Sequence, residues 1–505
     1  MAAGWEQGAS VRERTETLTR VVVVIQLMIT VPLAYALNVW QDDAYTLAST
    51  SNGPLHAIHQ AIYFEQNEPF YFAFMSLWRA VSHSYFFARF FSVLCAAATV
   101  YLLPKLLRRY LPEIAPEWIV VAVAFNPFLI WAAVEIRLYA LVVLLSSLLL
   151  LTFHDAFLAD RPSRAATIAY GVLCIIASYT QYYLIFLMLA QAVVLVGFRR
   201  WNALKRQSIT GVIAAVAFVP MLATVPGQLS NFHGSFAAPR SPLTPAKTLA
   251  EVLAQYVLPL TWALHHRVLY AALLVAAVLG AVAVIARRGW NTGHDLTIVW
   301  MTSATFAIFA LAVYAAKAHV IGRHGALLFV PIMLSSFAIV GLVRDPPRGR
   351  ATTALALVML ACSFGALVQA YRPLAKVGDW ARVTRYLASR ERPGQPIVVF
   401  EAENVVPLAY YYRGPNPIIG IPMDVDFHTY DVARFVLRDG AQIDRRLARV
   451  PGEHREIWLV TGKYCSALNI DFGCGILERY VREHYTTLST SQFYGAEVRL
   501  LRRAP

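Results

Sequence analysis

Residues 19–46 read TRVVVVIQLMITVPLAYALNVWQDDAYT. From Val21 to Gln41 no side chain is charged. About twenty mostly apolar residues are what a helix needs to cross a bilayer core. The stretch then ends on two adjacent acids, Asp42 and Asp43. Acids in that position are costly near lipid unless they face water or a partner. A membrane helix followed at once by a polar segment is the reading that decides the fold.

The pattern extends along the chain. On the length criterion, apolar spans fall at roughly 19–38, 84–104, 118–134, 138–157, 166–180, 182–198, 208–226, 268–286, 296–315, 321–342 and 352–370, about eleven in all. Of the 505 residues, 58% are hydrophobic and 15% charged, against ~45–50% and ~25% in ordinary soluble proteins. Mean hydropathy is +0.51. These values exclude a disordered chain, a small disulfide scaffold and an ordinary soluble enzyme. The first 370 residues carry 25 Lys/Arg and 15 Asp/Glu, whereas the last 135 carry 19 and 15. The expected architecture is an α-helical polytopic membrane domain over 1–370 and a small extracytoplasmic α/β domain over 371–505.

The net charge of +14 does not point to nucleic acid, because most of the surplus sits between apolar runs. Arg12, Arg14 and Arg20 precede the first span; Lys105, Arg108 and Arg109, then Arg161 and Arg164, then Arg199, Arg200, Lys205 and Arg206, then Arg287 and Arg288, then Arg344, Arg348 and Arg350 follow. Every second connection is basic. The positive-inside rule then places the N-terminus in the cytosol, and an odd number of spans places 371–505 on the far side. Ala34-Tyr35-Ala36 also resembles a signal-peptide cleavage site; a retained first helix is the favoured reading, since it anchors the acids that follow.

Four outward segments hold the candidate functional residues. In the first, Asp42 and Asp43 read either as a solvated helix end or as a functional pair. Pro54 to Ile62 shows an amphipathic pattern, with Leu55, Ile58 and Ile62 on one face. His56 and His59 near the two acids are a weak metal signal, and interfacial polar residues are the commoner explanation. Gln66-Asn67-Glu68-Pro69 follows, with Pro69 marking a turn or helix start. In the second segment, Glu135 and Arg137 are two residues apart and do not face each other on a helix, so each needs another partner. Charges squeezed between apolar helices are functional candidates by default. In the third, about 227–267, a Pro-rich half precedes a helical half in which Leu249, Val252, Leu253 and Tyr256 recur at helical spacing. In the fourth, Lys317, His319, Arg323 and His324 form a cationic cluster suited to an anion such as a lipid phosphate.

Taken together, these motifs resemble the polytopic GT-C glycosyltransferases that use polyprenyl-phosphate sugars, including protein O-mannosyltransferases (glycosyltransferase family 39) and lipid A aminoarabinose transferases. Trp40-Gln41-Asp42-Asp43-Ala44-Tyr45-Thr46 resembles their W-x-D-E-x-x-T opening. Asn67-Glu68-Pro69-Phe70-Tyr71-Phe72 is similar to H-P-P-L-Y-Y, and Glu135-Ile136-Arg137-Leu138-Tyr139-Ala140-Leu141 to E-x-R-x-Y-A-L. His319 to Pro331 resembles a later R-Y…P helix start. Asp379-Trp380, with Pro393-Gly394 ahead of Ile397 to Phe400, resembles the opening of their outer C-terminal domain. Departures from the pattern are Asp43 for Glu, Asn67-Glu68 for His-Pro and His324 for Tyr.

The resemblance implies transfer of a sugar from a lipid phosphate to an acceptor outside the cytosol, with inversion. An acceptor hydroxyl or amine needs a base, and a departing phosphate needs fixed cations. The resemblance gives the base to Asp42; beside it Asp43 is read as orienting Arg137, Glu68, which is not part of the family pattern, as a secondary candidate base, and Glu135 as support. Arg137, Tyr139, Arg323, His319 and His324 are the candidate donor-phosphate residues. No cofactor is expected, and a divalent metal is the less favoured alternative. The expected partners are a polyprenyl-phosphate sugar, membrane lipid and a glycolipid, polysaccharide or protein acceptor, with no nucleic acid. The expected place is the bacterial inner membrane, with 371–505 in the periplasm. The alternatives are a flippase or transporter of lipid-linked sugars and a non-enzymatic envelope-assembly component. Most charges lie at span ends and no repeat is evident, which disfavours transport.

In the last 135 residues a helix is expected over 379–390 and strands at 397–400, 457–460 and 497–501. Cys95, Cys174 and Cys362 sit in apolar runs. Cys465 and Cys474, nine apart, are placed to form a disulfide if that domain is outside the cytosol.

Overall fold

The structure, a computed structural model, describes residues 2–228, 244–260, 262–269, 271–272, 275–276, 294–315, 322–343, 348–450, 454–467 and 470–505. The chain begins with one long helix, α1 (Ala2–Ala36), whose apolar part is Glu13–Ala36. Three short helices follow: α2 (Gln41–Ser49), α3 (Pro54–Tyr63) and α4 (Pro69–Arg79). Their starts are written in the sequence. Asp42 and Asp43 occupy the first turn of α2, where the helix dipole favours negative charge. Pro54 and Pro69 open α3 and α4, where a missing N–H costs nothing. Gly53 adopts φ +89° at the α2–α3 corner, a conformation that a side chain would strain.

The bundle continues with α5 (Tyr85–Tyr110), α6 (Pro116–Ala124), α7 (Pro127–Ala133) and α8 (Tyr139–Phe153), which runs through a π-turn to Leu158. Next come α9 (Arg164–Ser178), α10 (Leu184–Gly197), α11 (Trp201–Leu222), α12 (Thr244–Tyr256) and α13 (His294–Ala315). A 3-10 turn (Gly322–Leu328) leads into α14 (Phe329–Val343), and α15 (Arg348–Tyr371) closes the bundle.

Among the described residues six helices are long and apolar enough to cross a membrane, or seven if α6 and α7 form one bent span. The chain is a multi-pass membrane protein, but eleven spans are not reproduced. Residues 118–134 do not form one straight helix. Asn126-Pro127 breaks them with a 52° bend, because Asn126 caps α7 by accepting from Phe128 N at 2.9 Å. α9 and α10 have only 15 and 14 residues, short of a full span. Most of 268–286 lies outside the described residues.

Beyond α15 the chain forms a mixed five-stranded sheet in the order β2-β1-β3-β7-β6. Its strands are β1 (Ile397–Phe400), β2 (Ile418–Ile421), β3 (Glu456–Gly462), β6 (Tyr485–Phe493) and β7 (Ala496–Arg503), while β4 (Ser466–Ala467) and β5 (Ile470–Asp471) make a small separate hairpin. β1 pairs parallel with β2 and β3, and β7 runs antiparallel to β3 and β6. Alternation of side chains across the strands sends Ile397, Val399, Trp458 and Val460 to one face and Val398, Phe400, Ile457 and Leu459 to the other. The first face packs against α16 (Trp380–Arg390) and α17 (Val405–Tyr411); the second packs against α18 (Ala441–Leu447) and α19 (Cys474–His484). The expected helix and three strands are therefore present, with apolar runs buried on both sides.

Cys465 and Cys474 are joined by a disulfide, while Cys95, Cys174 and Cys362 are free and buried. Mass analysis after alkylation of the denatured, unreduced protein is expected to find only those three thiols labelled. Labelling of Cys465 or Cys474 would contradict the bridge.

Candidate active site

The candidate residues gather at the end of the bundle where α1 stops. Three other features meet there: the start of α5, the α7–α8 turn and the residues just after α15. Asp43 is fully enclosed. Its Oδ2 receives Arg89 Nη2 at 2.6 Å and Lys376 Nζ at 2.8 Å, and its Oδ1 receives the backbone N–H of Ile136 at 2.8 Å. Burial pushes its carboxyl up, but Lys376 and Arg89 outweigh that and hold it below the ordinary aspartate value. Arg89 is itself enclosed and donates to the carbonyls of Ala34, Leu37 and Asn38, the frayed end of α1. Lys376 also reaches Glu135 Oε1 at 3.0 Å and the carbonyl of Val134 at 2.9 Å. Glu135 accepts from Trp40 Nε1 at 2.6 Å.

Asp42 faces the other way, as adjacent residues at the start of a helix do. Its carboxylate lies 2.9 Å from Arg323 Nη1 in the 3-10 turn. Arg323 lies over the rings of Trp40 and Tyr139, 5.7 and 5.9 Å from their centroids, within cation–π range. Arg137 donates to Glu65 at 2.7 Å and to Thr46 Oγ1 at 3.0 Å. Burial lifts the Glu65 carboxyl above its usual value, against the pull of Arg137. Among the described residues Arg137 Nε and Arg323 Nε are buried with no hydrogen-bond acceptor, an arrangement that is costly unless another group supplies one. A cavity of about 210 Å³ adjoins the cluster, bordered by Trp40, Glu135 and Lys376 and walled by Trp131, Tyr371 and Tyr494. A larger one, about 1270 Å³, lies at the opposite end beside Arg14, Glu117 and Arg350, away from these acids.

The sheet domain leans on the same loop. Tyr45, on α2, and Tyr430 both donate to Glu403, at 2.9 and 2.8 Å. Gln66 Nε2 reaches the carbonyl of Tyr430 at 3.1 Å, and Tyr411 OH accepts from Val39 N at 2.6 Å.

Several expectations are corrected by this geometry. Asp43 does not orient Arg137; Glu65 does, and Asp43 is committed to Arg89 and Lys376. Glu135 and Arg137 do find separate partners. Glu68 precedes α4 without a side-chain capping bond and accepts from the backbone N–H of Tyr182; among the described residues no cation pairs with it. His59 rests on Tyr63, ring centroids 4.6 Å apart, and no metal-holding group of three His, Cys, Asp or Glu occurs among the described residues. His324 stands in the same turn as Arg323, its ring 6.5 Å from that of Tyr183. His319 lies outside the described residues. Sequence reasoning passed over Glu65, Arg89, Lys376 and Glu403. Only Arg89 carried a signal, a charge inside an apolar run.

No protein-family model and no curated protein matches the sequence. Among solved structures, ArnT from Cupriavidus metallidurans in the apo state superposes with a TM-score of 0.57 at 14% identity, over 95% of this chain and 97% of that one. ArnT bound to undecaprenyl phosphate gives 0.56 at 15%, over 99% and 98%.

Two outcomes follow from this geometry. Asp43→Asn leaves Arg89 and Lys376 under-compensated, and breaking a buried pair in this way typically costs about 3–5 kcal/mol. Thermal unfolding in detergent is expected to show a clear loss for Asp43→Asn and little change for Asp42→Asn; equal stabilities would contradict the buried pairing. Burial pushes the Glu68 carboxyl from 4.5 up to about 8. The folded state thus keeps a proton that the unfolded chain has lost, and its stabilisation fades as pH rises from about 4.5 to about 8. Glu68→Gln is expected to flatten the fall in melting temperature across that window; an unchanged slope would assign it elsewhere. With its fold matched along nearly the whole chain, the protein shares the fold of ArnT.

Proposed function

We propose that this protein is an inverting glycosyltransferase that moves a sugar from a polyprenyl-phosphate donor to a lipid, glycan or protein acceptor at the extracytoplasmic face. The observation that carries this reading is the pair of buried Nε–H groups of Arg137 and Arg323 that have no acceptor among the described residues, beside the partly exposed side chain of Asp42. Guanidinium groups suit phosphate oxygens, and a ligand phosphate would supply the missing acceptors. A fold shared with a protein seen bound to undecaprenyl phosphate supports the same donor class.

In this reading Asp42 takes the proton of the acceptor hydroxyl or amine as it attacks the anomeric carbon. The bond from that carbon to the phosphate oxygen breaks, its electron pair stays on the phosphate, and Arg137 and Arg323 hold the growing charge. Attack opposite the leaving phosphate inverts the centre. Tyr139 and Trp40 keep Arg323 in place, and Glu65 does so for Arg137. Asp43 and Glu135 position the strand of chain that presents these groups. Arg12, Arg14 and Arg20 ahead of the first span support a cytosolic N-terminus, and the contacts of 371–505 with the segment just after α1 support its periplasmic placement in a bacterial inner membrane.

Purified protein incubated with radiolabelled polyprenyl-phosphate sugars and envelope glycolipid is expected to release polyprenyl phosphate. Asp42→Asn is expected to lose about 10²–10⁴-fold in rate, the usual contribution of a general base, while staying folded. Near-wild-type turnover would remove Asp42 from the role, and movement of intact donor across the membrane without release would favour a flippase.

A further inference from the structure

Among the described residues, the ion-paired groups of the cluster are four carboxylates, Asp42, Asp43, Glu65 and Glu135, and four cations, Arg89, Arg137, Arg323 and Lys376. Each of these cations already lies within 3.0 Å of a carboxylate. The formal charges cancel. Among the described residues of the cluster, a phosphate that arrives here can gain a full cation only by taking it from a carboxylate.

The pairs are not equally hard to open. Arg89 and Asp43 are both 0% exposed, and Asp43 has three donors. Arg137 and Glu65 are 11% and 4% exposed and joined by an aligned hydrogen bond at 2.7 Å. Arg323 and Asp42 are 25% and 17% exposed. Their contact is an ion pair without hydrogen-bond alignment, since Asp42 Oδ2 has no hydrogen-bond partner among the described residues. Buried pairs resist opening because both ions are desolvated; the more exposed and misaligned pair yields first. Arg323 need not move when it yields, because Trp40 and Tyr139 hold its guanidinium from outside the pair.

We propose that the donor itself frees the base: its phosphate replaces Asp42 on Arg323, and the released carboxylate then accepts the acceptor proton. This rests on the glycosyltransferase reading and adds an order of events to it. A carboxylate that loses its cation is the better proton acceptor, so the base is switched on only when a donor is seated. In the transfer the proton passes from acceptor oxygen or nitrogen to Asp42, the acceptor–carbon bond forms, and the carbon–oxygen bond breaks towards the phosphate. When polyprenyl phosphate leaves, Asp42 gives its proton to water and pairs with Arg323 again. The order predicted is donor first, acceptor second.

The test is binding of decaprenyl phosphate to the purified full-length protein in detergent, read by tryptophan fluorescence. If Asp42 competes with phosphate for Arg323, then Asp42→Asn, although inactive, binds the lipid more tightly. An arginine available only part of the time weakens apparent affinity by that fraction, so the gain expected is on the order of tenfold. Asp42→Ser is expected to show the same sign. The gain must vanish when Asp42→Asn is added to Arg323→Gln, because the competed cation is then absent. A gain that persists in the Arg323→Gln background would reflect general charge repulsion and overturn the proposal. So would unchanged or weaker binding by both Asp42 variants, with the donor reading left standing. Failure of the wild type to bind decaprenyl phosphate would overturn both.

Discussion

Asp43 is the carboxylate on which the candidate-site end of this molecule depends. An isolated charge in so dry a place would be prohibitive, and it is tolerated because Arg89, Lys376 and the Ile136 amide converge on it. Each donor comes from a different part of the chain. Arg89 enters from α5 and also gathers the last carbonyls of α1. Ile136 belongs to the α7–α8 turn, and Lys376 follows the last helix of the bundle. One carboxylate therefore fixes the relative positions of the segments that carry Asp42, Glu135, Arg137 and Tyr139.

This arrangement separates two neighbouring acids into two duties. Asp43 serves architecture, and Asp42, only partly exposed, faces Arg323. The same division recurs around it. Glu135 holds Lys376 and Trp40, and Glu65 holds Arg137. The proposed chemistry needs a carboxylate that can take a proton and cations that can hold a phosphate. Both must be held by groups that do not themselves react. The sheet domain contributes to that rigidity through Lys376 and through Glu403, which ties Tyr45 on α2 to Tyr430. It is thus part of the site's wall and not a distant appendage.

The signals that were legible in the sequence are local ones. Apolar length, the two acids after the first span, Pro54 and Pro69 at helix starts, and the short apolar runs of β1 and β3 act within a few residues. They suffice for a membrane bundle with a sheet domain and for singling out Asp42, Arg137 and Arg323 as candidates. They mislead where a short-range feature interrupts a pattern. Asn126-Pro127 splits an apolar run into two bent helices, and helices such as α9 and α10 are apolar without being long enough to cross a bilayer.

By itself, then, the sequence determined which residue types stand at the ends of its helices, because capping, periodicity and hydropathy are properties of neighbours in the chain. Which carboxylate meets which cation was decided only by tertiary structure. Asp43 and Arg89 are 46 residues apart, Glu65 and Arg137 72, and Asp43 and Lys376 333. At such separations a charge finds its partner through the packing of whole helices, and a one-residue difference in helix phase leaves Asp42 partly exposed and sends Asp43 into the interior.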